Sequence, residues 1–260
     1  MNFKRISYYI SLLCFPISFL AFINILYASY FDYFLSVNTY LTTFMVSFVV
    51  GLCLFIFGKN SKKNINFIEQ LVFIIAAYFL TSLLIAIPFY LSNYQVTFLN
   101  AIFESISGLT GTGFSIFKNI KYLDPTLILW RSSSQWIGGL YFLFFLILIF
   151  SNKQFNYKMN DLTYSGDGRI NSENNIKDLL SRVFIFYSLL SFIIFLLLNI
   201  SDVRMFNSLN LSMSLVSAGG FIPTNSLNKI IYSNPQKIIF TFSLLISMLN
   251  FFLILNIFEK

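Results

Sequence analysis

The chain has 260 residues, of which 57% are hydrophobic and 10% charged, with 34 Phe, 15 Tyr and a mean hydropathy of +0.75. Soluble domains carry about 25% charged and about 45–50% apolar residues, so a soluble globular fold is excluded, and so is disorder, which needs low hydrophobicity. The net charge of +7 fits Lys- and Arg-rich cytoplasmic loops better than a nucleic-acid partner. At roughly 20 apolar residues per crossing, the composition allows about six or seven membrane spans. Histidine is absent, which removes histidine metal ligands, Ser-His-Asp triads and histidine pH switches. Cys14 and Cys53 lie in apolar runs and read as small packing residues, not as a disulfide or zinc site.

Charge-free runs locate the spans in chain order. Residues 6–31 lie between Arg5 and Asp32, and residues 33–58 end before Lys59, Lys62 and Lys63. Lys4 and Arg5 followed by an apolar run and Leu26-Tyr27-Ala28 resemble a signal peptide, but the run exceeds the about 7–15 residues of a signal core. It reads as a retained first helix. Residues 70–103 are longer than one crossing needs, and 132–152, 183–201 and 238–258 are three further runs of spanning length. Six transmembrane helices are predicted, near 8–30, 38–57, 67–91, 126–150, 180–200 and 237–257. Lys and Arg are biased toward the N-terminal side of the membrane, which predicts both termini in the cytoplasm. The turn-rich segment 151–179 is then a cytoplasmic connector, and Ile176 to Arg182 begin the fifth helix.

Two segments do not read as ordinary helices. Residues 97–117 hold a short helical stretch, Thr97 to Ser107, followed by Gly108, Gly111 and Gly113. Residues 205–228 are charge-free yet contain Gly219, Gly220 and Pro223 among Asn and Ser, which punctuate regular structure. Non-helical backbone is tolerated at membrane depth only where protein buries it or water lines it. A half-helix followed by an extended strand, entering and leaving on one side, satisfies that rule as a re-entrant pore loop. The two segments also align without gaps. Ser105, Ser107, Gly113 and Phe114 recur as Ser212, Ser214, Gly220 and Phe221. The chain thus reads as two helix–pore loop–helix units behind a two-helix leader, and internal repetition of this kind is common in transporters.

Such a strand suits a dehydrated cation. Potassium filters replace the ion's water shell with backbone carbonyls. Turning the carbonyls to one side needs backbone angles that glycine accepts cheaply. Thr and Ser hydroxyls can support the ladder, and the partly negative C-terminal end of a half-helix favours a cation.

The run Ala101 to Phe114 (AIFESISGLTGTGF) resembles the first pore loop of the Trk/Ktr/HKT superfamily of potassium transporters. Leu129 to Leu140 (LWRSSSQWIGGL), with Arg131, Gln135, Trp136, Gly138 and Gly139, resembles the helix that follows it, and Ser214 to Phe221 (SLVSAGGF) its second pore loop. The chain is most similar to the N-terminal half of a bacterial Trk-type membrane subunit. The resemblance implies an all-α integral membrane protein: a two-helix leader over 1–65, a first helix–pore loop–helix repeat over 66–150, the connector 151–179, and a second repeat over 180–260. It implies uptake of potassium, as substrate, with no covalently bound cofactor and no metal held except through backbone carbonyls. The filter positions it implies are Thr110, Gly111, Thr112 and Gly113, and Ser217, Ala218, Gly219 and Gly220. Serine in place of the filter glycine goes with sodium transport in this superfamily, so Gly113 and Gly220 point to potassium. Gly111 and Ala218 depart from the threonine usual at those places.

The family has four repeats around one pore, and this chain carries two. The resemblance therefore implies a homo-oligomer, a second chain supplying repeats three and four, or a truncated, non-conducting remnant or regulatory half. It also implies a cytoplasmic, TrkA-like nucleotide-binding gating subunit and residence in the inner membrane. Glu104 and Arg131 fall at membrane depth, where charges are costly and usually paired or functional. They are expected to form a structural pair bracing the first pore loop. Gly138 and Gly139 are expected to permit close packing, and Trp136 to be a packing aromatic. An enzyme is disfavoured, since no acid cluster or nucleophile with a base stands at membrane depth.

Overall fold

A computed structural model describes residues 2–61, 65–150 and 173–248. Among these there are eight α-helices and no strands. They are α1 (Phe3–Tyr30), α2 (Phe34–Gly58), α3 (Phe67–Tyr90), α4 (Phe98–Leu109), α5 (Pro125–Phe150), α6 (Glu173–Ile200), α7 (Met205–Val216) and α8 (Asn234–Met248). Five of them, α1, α2, α3, α5 and α6, are long and apolar enough to cross a membrane. Most of the connector, 151–172, and the distal part of the sixth expected span, 249–257, lie outside the described residues. Helix α6 does begin ahead of Ile176.

Local signals explain the helix starts. Helix α1 starts at Phe3, five residues before the expected position, because Asn2 caps it by accepting from the Lys4 amide. Asn66 and Glu69 form a capping box at the start of α3. The same Glu69 accepts from the Asn2 amide at 2.7 Å and from Arg5 at 3.1 Å. One carboxylate thus ties the starts of α1 and α3 together. Thr97 caps α4 through the Asn100 amide.

The burial pattern suits a lipid solvent. Phe19, Ile56, Ile75, Phe79, Ile185 and Phe192 are exposed, whereas Ser11, Ser18, Asn24, Thr43, Ser47 and Thr81 are buried. The buried hydroxyls of Thr43, Ser47 and Thr81 donate to carbonyls one turn back, as do Ser132, Ser133 and Ser134 of α5, so these hydroxyls are satisfied within their own helices. Helices α1 and α2 pack as a hairpin against α3 and α5. Trp130 of α5 donates to the Ile85 carbonyl of α3 at 3.0 Å, and its ring meets Tyr40 of α2 at 5.7 Å. Trp136 is a packing residue: its indole donates to Ser191 of α6 at 2.9 Å, and Tyr187 donates to its carbonyl.

Helix α5 is the central element. It contacts both short helices, α4 and α7. A Cβ on Gly138 would overlap the Leu109 carbonyl at the end of α4, and one on Gly139 would lie 2.6 Å from the Tyr187 hydroxyl and 2.9 Å from Ser217 Cβ. The glycine pair lets α5 approach the ends of both short helices. Gly138→Ala must displace backbone, so it is expected to destabilise the protein by about 3 kcal/mol. Gly51→Ala in α2 meets only Cys14 and Phe15 side-chain atoms, at 3.2 Å or more, and is expected to be mild. Thermal unfolding of the two purified variants in detergent, compared with the parent, checks this ordering.

Candidate functional site

Helices α4 and α7 end in the same way. At α4 the Gly111 amide donates to Gly108 and the Thr112 amide to Ser107. At α7 the Ala218 amide donates to Leu215 and the Gly219 amide to Ser214. This pair of bonds is a Schellman stop, which needs a left-handed residue just past the helix. Gly111 has φ +68° and Ala218 has φ +51°. Gly111 is thus the stop of α4 as well as a member of the extended segment. Ala218 does the same work at a strain of roughly 1 kcal/mol, because its Cβ crowds the left-handed conformation. The hydroxyls of Thr110 and Ser217 turn back onto the helices, to the carbonyls of Ile106 at 2.8 Å and Met213 at 2.9 Å.

Beyond the stops the chain is extended, and the two segments touch. A Cβ on Gly113, which has φ +77°, would lie 2.5 Å from the Gly220 Cα. Among the described residues, no donor reaches the carbonyls of Thr110–Gly113 or of Ser217–Gly220. Two runs of unpaired carbonyls therefore stand side by side. Farther along, Asn225 accepts from the Lys121 amide at 3.1 Å and donates to Asn119 at 3.1 Å, joining the return paths of the two loops.

A buried ion pair anchors the first return path. Arg131 Nε lies 2.8 Å from Glu104 Oε1, and the side chains are 1% and 0% exposed. The carboxylate also accepts from the Ser115 hydroxyl at 2.9 Å and the Ile116 amide at 2.8 Å. Arg131 Nη2 donates to Ser115 Oγ at 3.0 Å. Its guanidinium stacks over the Phe221 ring at 4.2 Å and faces Phe117 at 5.9 Å. Helix α4, the segment that follows its extended stretch, α5 and the second loop thus meet at one pair of charges. Phe221 and its repeat counterpart Phe114 differ sharply, at 1% and 70% exposed.

Two further participants, Ser107 and Gln135, stand in the recognised motifs, but the sequence alone assigns them no role. Ser107 donates to the Phe114 carbonyl at 2.6 Å, closing the first loop across its extended segment. Gln135 reaches the second loop from α5, accepting from Ser214 at 2.9 Å and from the Phe221 amide at 3.1 Å. The recurrence of Ser107 as Ser214 is the one sequence trace of this arrangement. Among the described residues there is no cluster of three metal-ligating side chains.

Two variants separate the roles of the Glu104 carboxylate. Glu104→Ala leaves Arg131 buried without its partner and is expected to cost about 3–5 kcal/mol. Glu104→Gln keeps an acceptor for the Ile116 amide and is expected to lose distinctly less. The double exchange Glu104→Arg with Arg131→Glu restores charge balance but offers Ile116 no acceptor, so it is expected not to recover the parent's unfolding temperature. Detergent unfolding of the three proteins reads the order. Separately, Ala218→Gly relieves the left-handed strain and is expected to raise the unfolding midpoint, by the equivalent of about 1 kcal/mol.

Known proteins match this architecture. The family model described as TrkH, cation transport protein, matches residues 36–260. The uncharacterized cation transporter MJ1485 of Methanocaldococcus jannaschii is 30% identical over 193 residues, covering 70% of this chain and 39% of that protein. The Trk system potassium uptake protein TrkG of Escherichia coli is 25% identical over 199 residues, covering 72% of this chain and 39% of its own length. The crystal structure of the potassium transporter TrkH from Vibrio parahaemolyticus superposes with a TM-score of 0.78 at 20% identity, covering 95% of this chain and 50% of that one. The chain thus spans half or less of the length of these relatives, and the relatives are transporters by name.

Proposed function

The chain belongs to the TrkH family of cation transport proteins, and from that premise we propose that it forms part of the potassium-conducting pore of a Trk-type uptake system. The observation that carries this reading is the pair of adjacent segments with bare carbonyls. A potassium ion sheds its water when protein oxygens replace the shell at little cost. Carbonyls already bonded to amides would not serve. The carbonyls of Thr110, Gly111, Thr112 and Gly113, and of Ser217, Ala218, Gly219 and Gly220, supply half of such a ring. Glu104 and Arg131 hold the first loop in place. Potassium is the substrate, and the chemistry needs no cofactor.

The remaining half of the ring comes from outside residues 1–260, through a second copy or a segment carrying two further helix–pore loop–helix units. The exposed Phe114, set against its buried counterpart Phe221, supports a missing neighbour on that edge. The Lys and Arg distribution supports an inner-membrane protein with both termini in the cytoplasm, where a TrkA-like nucleotide-binding subunit would gate it. Residues 1–65 serve as leader, 66–150 and 180–260 as the two pore units, and 151–179 as the cytoplasmic connector. The second reading is a non-conducting or regulatory half. It draws on the same coverage of half or less of the relatives' length.

Rubidium uptake by cells lacking their own potassium uptake systems tests the proposal. The chain is expressed alone and beside the C-terminal half of a related Trk subunit. Uptake is expected in at least one arrangement and should vanish in Gly113→Asp and Gly220→Asp. No uptake in either arrangement from protein present in the membrane, or uptake that both variants retain, would favour the second reading.

A further inference from the structure

The two loops are closed by different means. In the first, the Ser107 hydroxyl reaches directly across to the Phe114 carbonyl, so that loop is closed by its own residues. In the second, the counterpart Ser214 does not reach across. Its hydroxyl donates to Gln135 Oε1, and the same oxygen accepts from the Phe221 amide. A backbone N–H only donates, so the atom facing it must be the amide oxygen, which fixes the orientation of the Gln135 side chain. Gln135 is fully buried. A Cβ on Gly219 would lie 2.5 Å from Gln135 Cδ and Oε1, so the carboxamide lies directly against the extended segment it closes.

We propose that Gln135 is the positioning residue of the second filter loop: one oxygen, delivered by the first repeat, fixes the span from Ser214 to Phe221 and so the direction of the carbonyls between them. The inference rests on reading 217–220 as filter. The first repeat is self-closing and the second is closed by the first. Loss of the Gln135 oxygen therefore alters the second loop and leaves the span from Ser107 to Phe114 intact. Arg131, one turn before Gln135 on the same helix, stacks on Phe221 and holds the side chain of the residue whose amide Gln135 holds. The Nε2 of Gln135 has no partner, so the oxygen is the atom that matters.

Hydrogen exchange of the full chain in lipid nanodiscs tests the strut without requiring transport. Gln135→Leu keeps the shape and removes the acceptor. It should speed exchange of the Phe221 amide about tenfold, the factor for loss of one buried hydrogen bond, and leave peptides over 107–114 unchanged. Gln135→Glu keeps an acceptor oxygen and should retain slow exchange. Gly219→Ala provides a route that leaves α5 untouched: its Cβ displaces the flexible end of Gln135 and should speed the same amide. In the uptake assay, Gln135→Leu should lower rubidium relative to sodium, and Gln135→Glu should restore the ratio toward the parent's. Slow exchange at Phe221 in both Gln135→Leu and Gly219→Ala would overturn the proposal, as would equal acceleration of both loops. A parent that moves no rubidium in any arrangement counts against the transport reading, while the exchange result still decides the strut.

Discussion

A carboxylate and a guanidinium with no access to water stand where four segments of this protein meet. Neither charge is tolerable alone in that setting. Each has partners beyond the other: Glu104 takes the Ile116 amide and the Ser115 hydroxyl, and Arg131 takes Ser115 and the face of Phe221. The cost of burying the pair is what makes the arrangement specific. Moving the return strand by one residue would withdraw an amide from the carboxylate, and moving the second loop would uncover the guanidinium. Two stretches of non-helical backbone, which lipid would not tolerate, are thereby held against α5.

The two extended segments follow from how α4 and α7 stop. A Schellman closure uses the carbonyls of Ser107 and Gly108, and of Leu215 and Ser214, to bind the first amides past each helix. The amides of Gly111 and Thr112, and of Ala218 and Gly219, are thus consumed by the helix ends, while the carbonyls of these four residues are left over. An extended segment that satisfied its carbonyls in a sheet would be inert toward an ion. This one does not, because on either side of the Gly113–Gly220 contact the amides of Gly113, Gly219 and Phe221 already donate to Ser107, Ser214 and Gln135. Bare carbonyls and helix termination are two sides of one hydrogen-bond count.

Much of the scaffold was legible in the sequence because the bilayer reduces the problem to length and charge. The charge-free runs mark five long helices, and the glycines after Ser107 mark the end of the first short helix, which runs two residues farther, to Leu109. The start of α1 was displaced because it depends on Asn2 and on Glu69, which is 67 residues away. The second stop falls on Ala218, a residue with no preference for φ +51°, and only its alignment with Gly111 points there. The burial cost of Glu104 and Arg131 is visible from their place in apolar runs. That the carboxylate would also bind Ile116, and that Gln135 would close a loop 79 to 86 residues away, leaves no local pattern, because these contacts are set by how closely Gly138 and Gly139 let α5 approach.

The central claim is that the unpaired carbonyls of 110–113 and 217–220 receive a dehydrated cation. Thallium is a potassium mimic with strong anomalous scattering. A crystal structure of the assembled protein in thallium should show an anomalous peak against those carbonyls, lost on exchange into excess potassium and retained in excess sodium. Thallium bound only elsewhere, or those carbonyls found bonded to protein amides, would contradict the account.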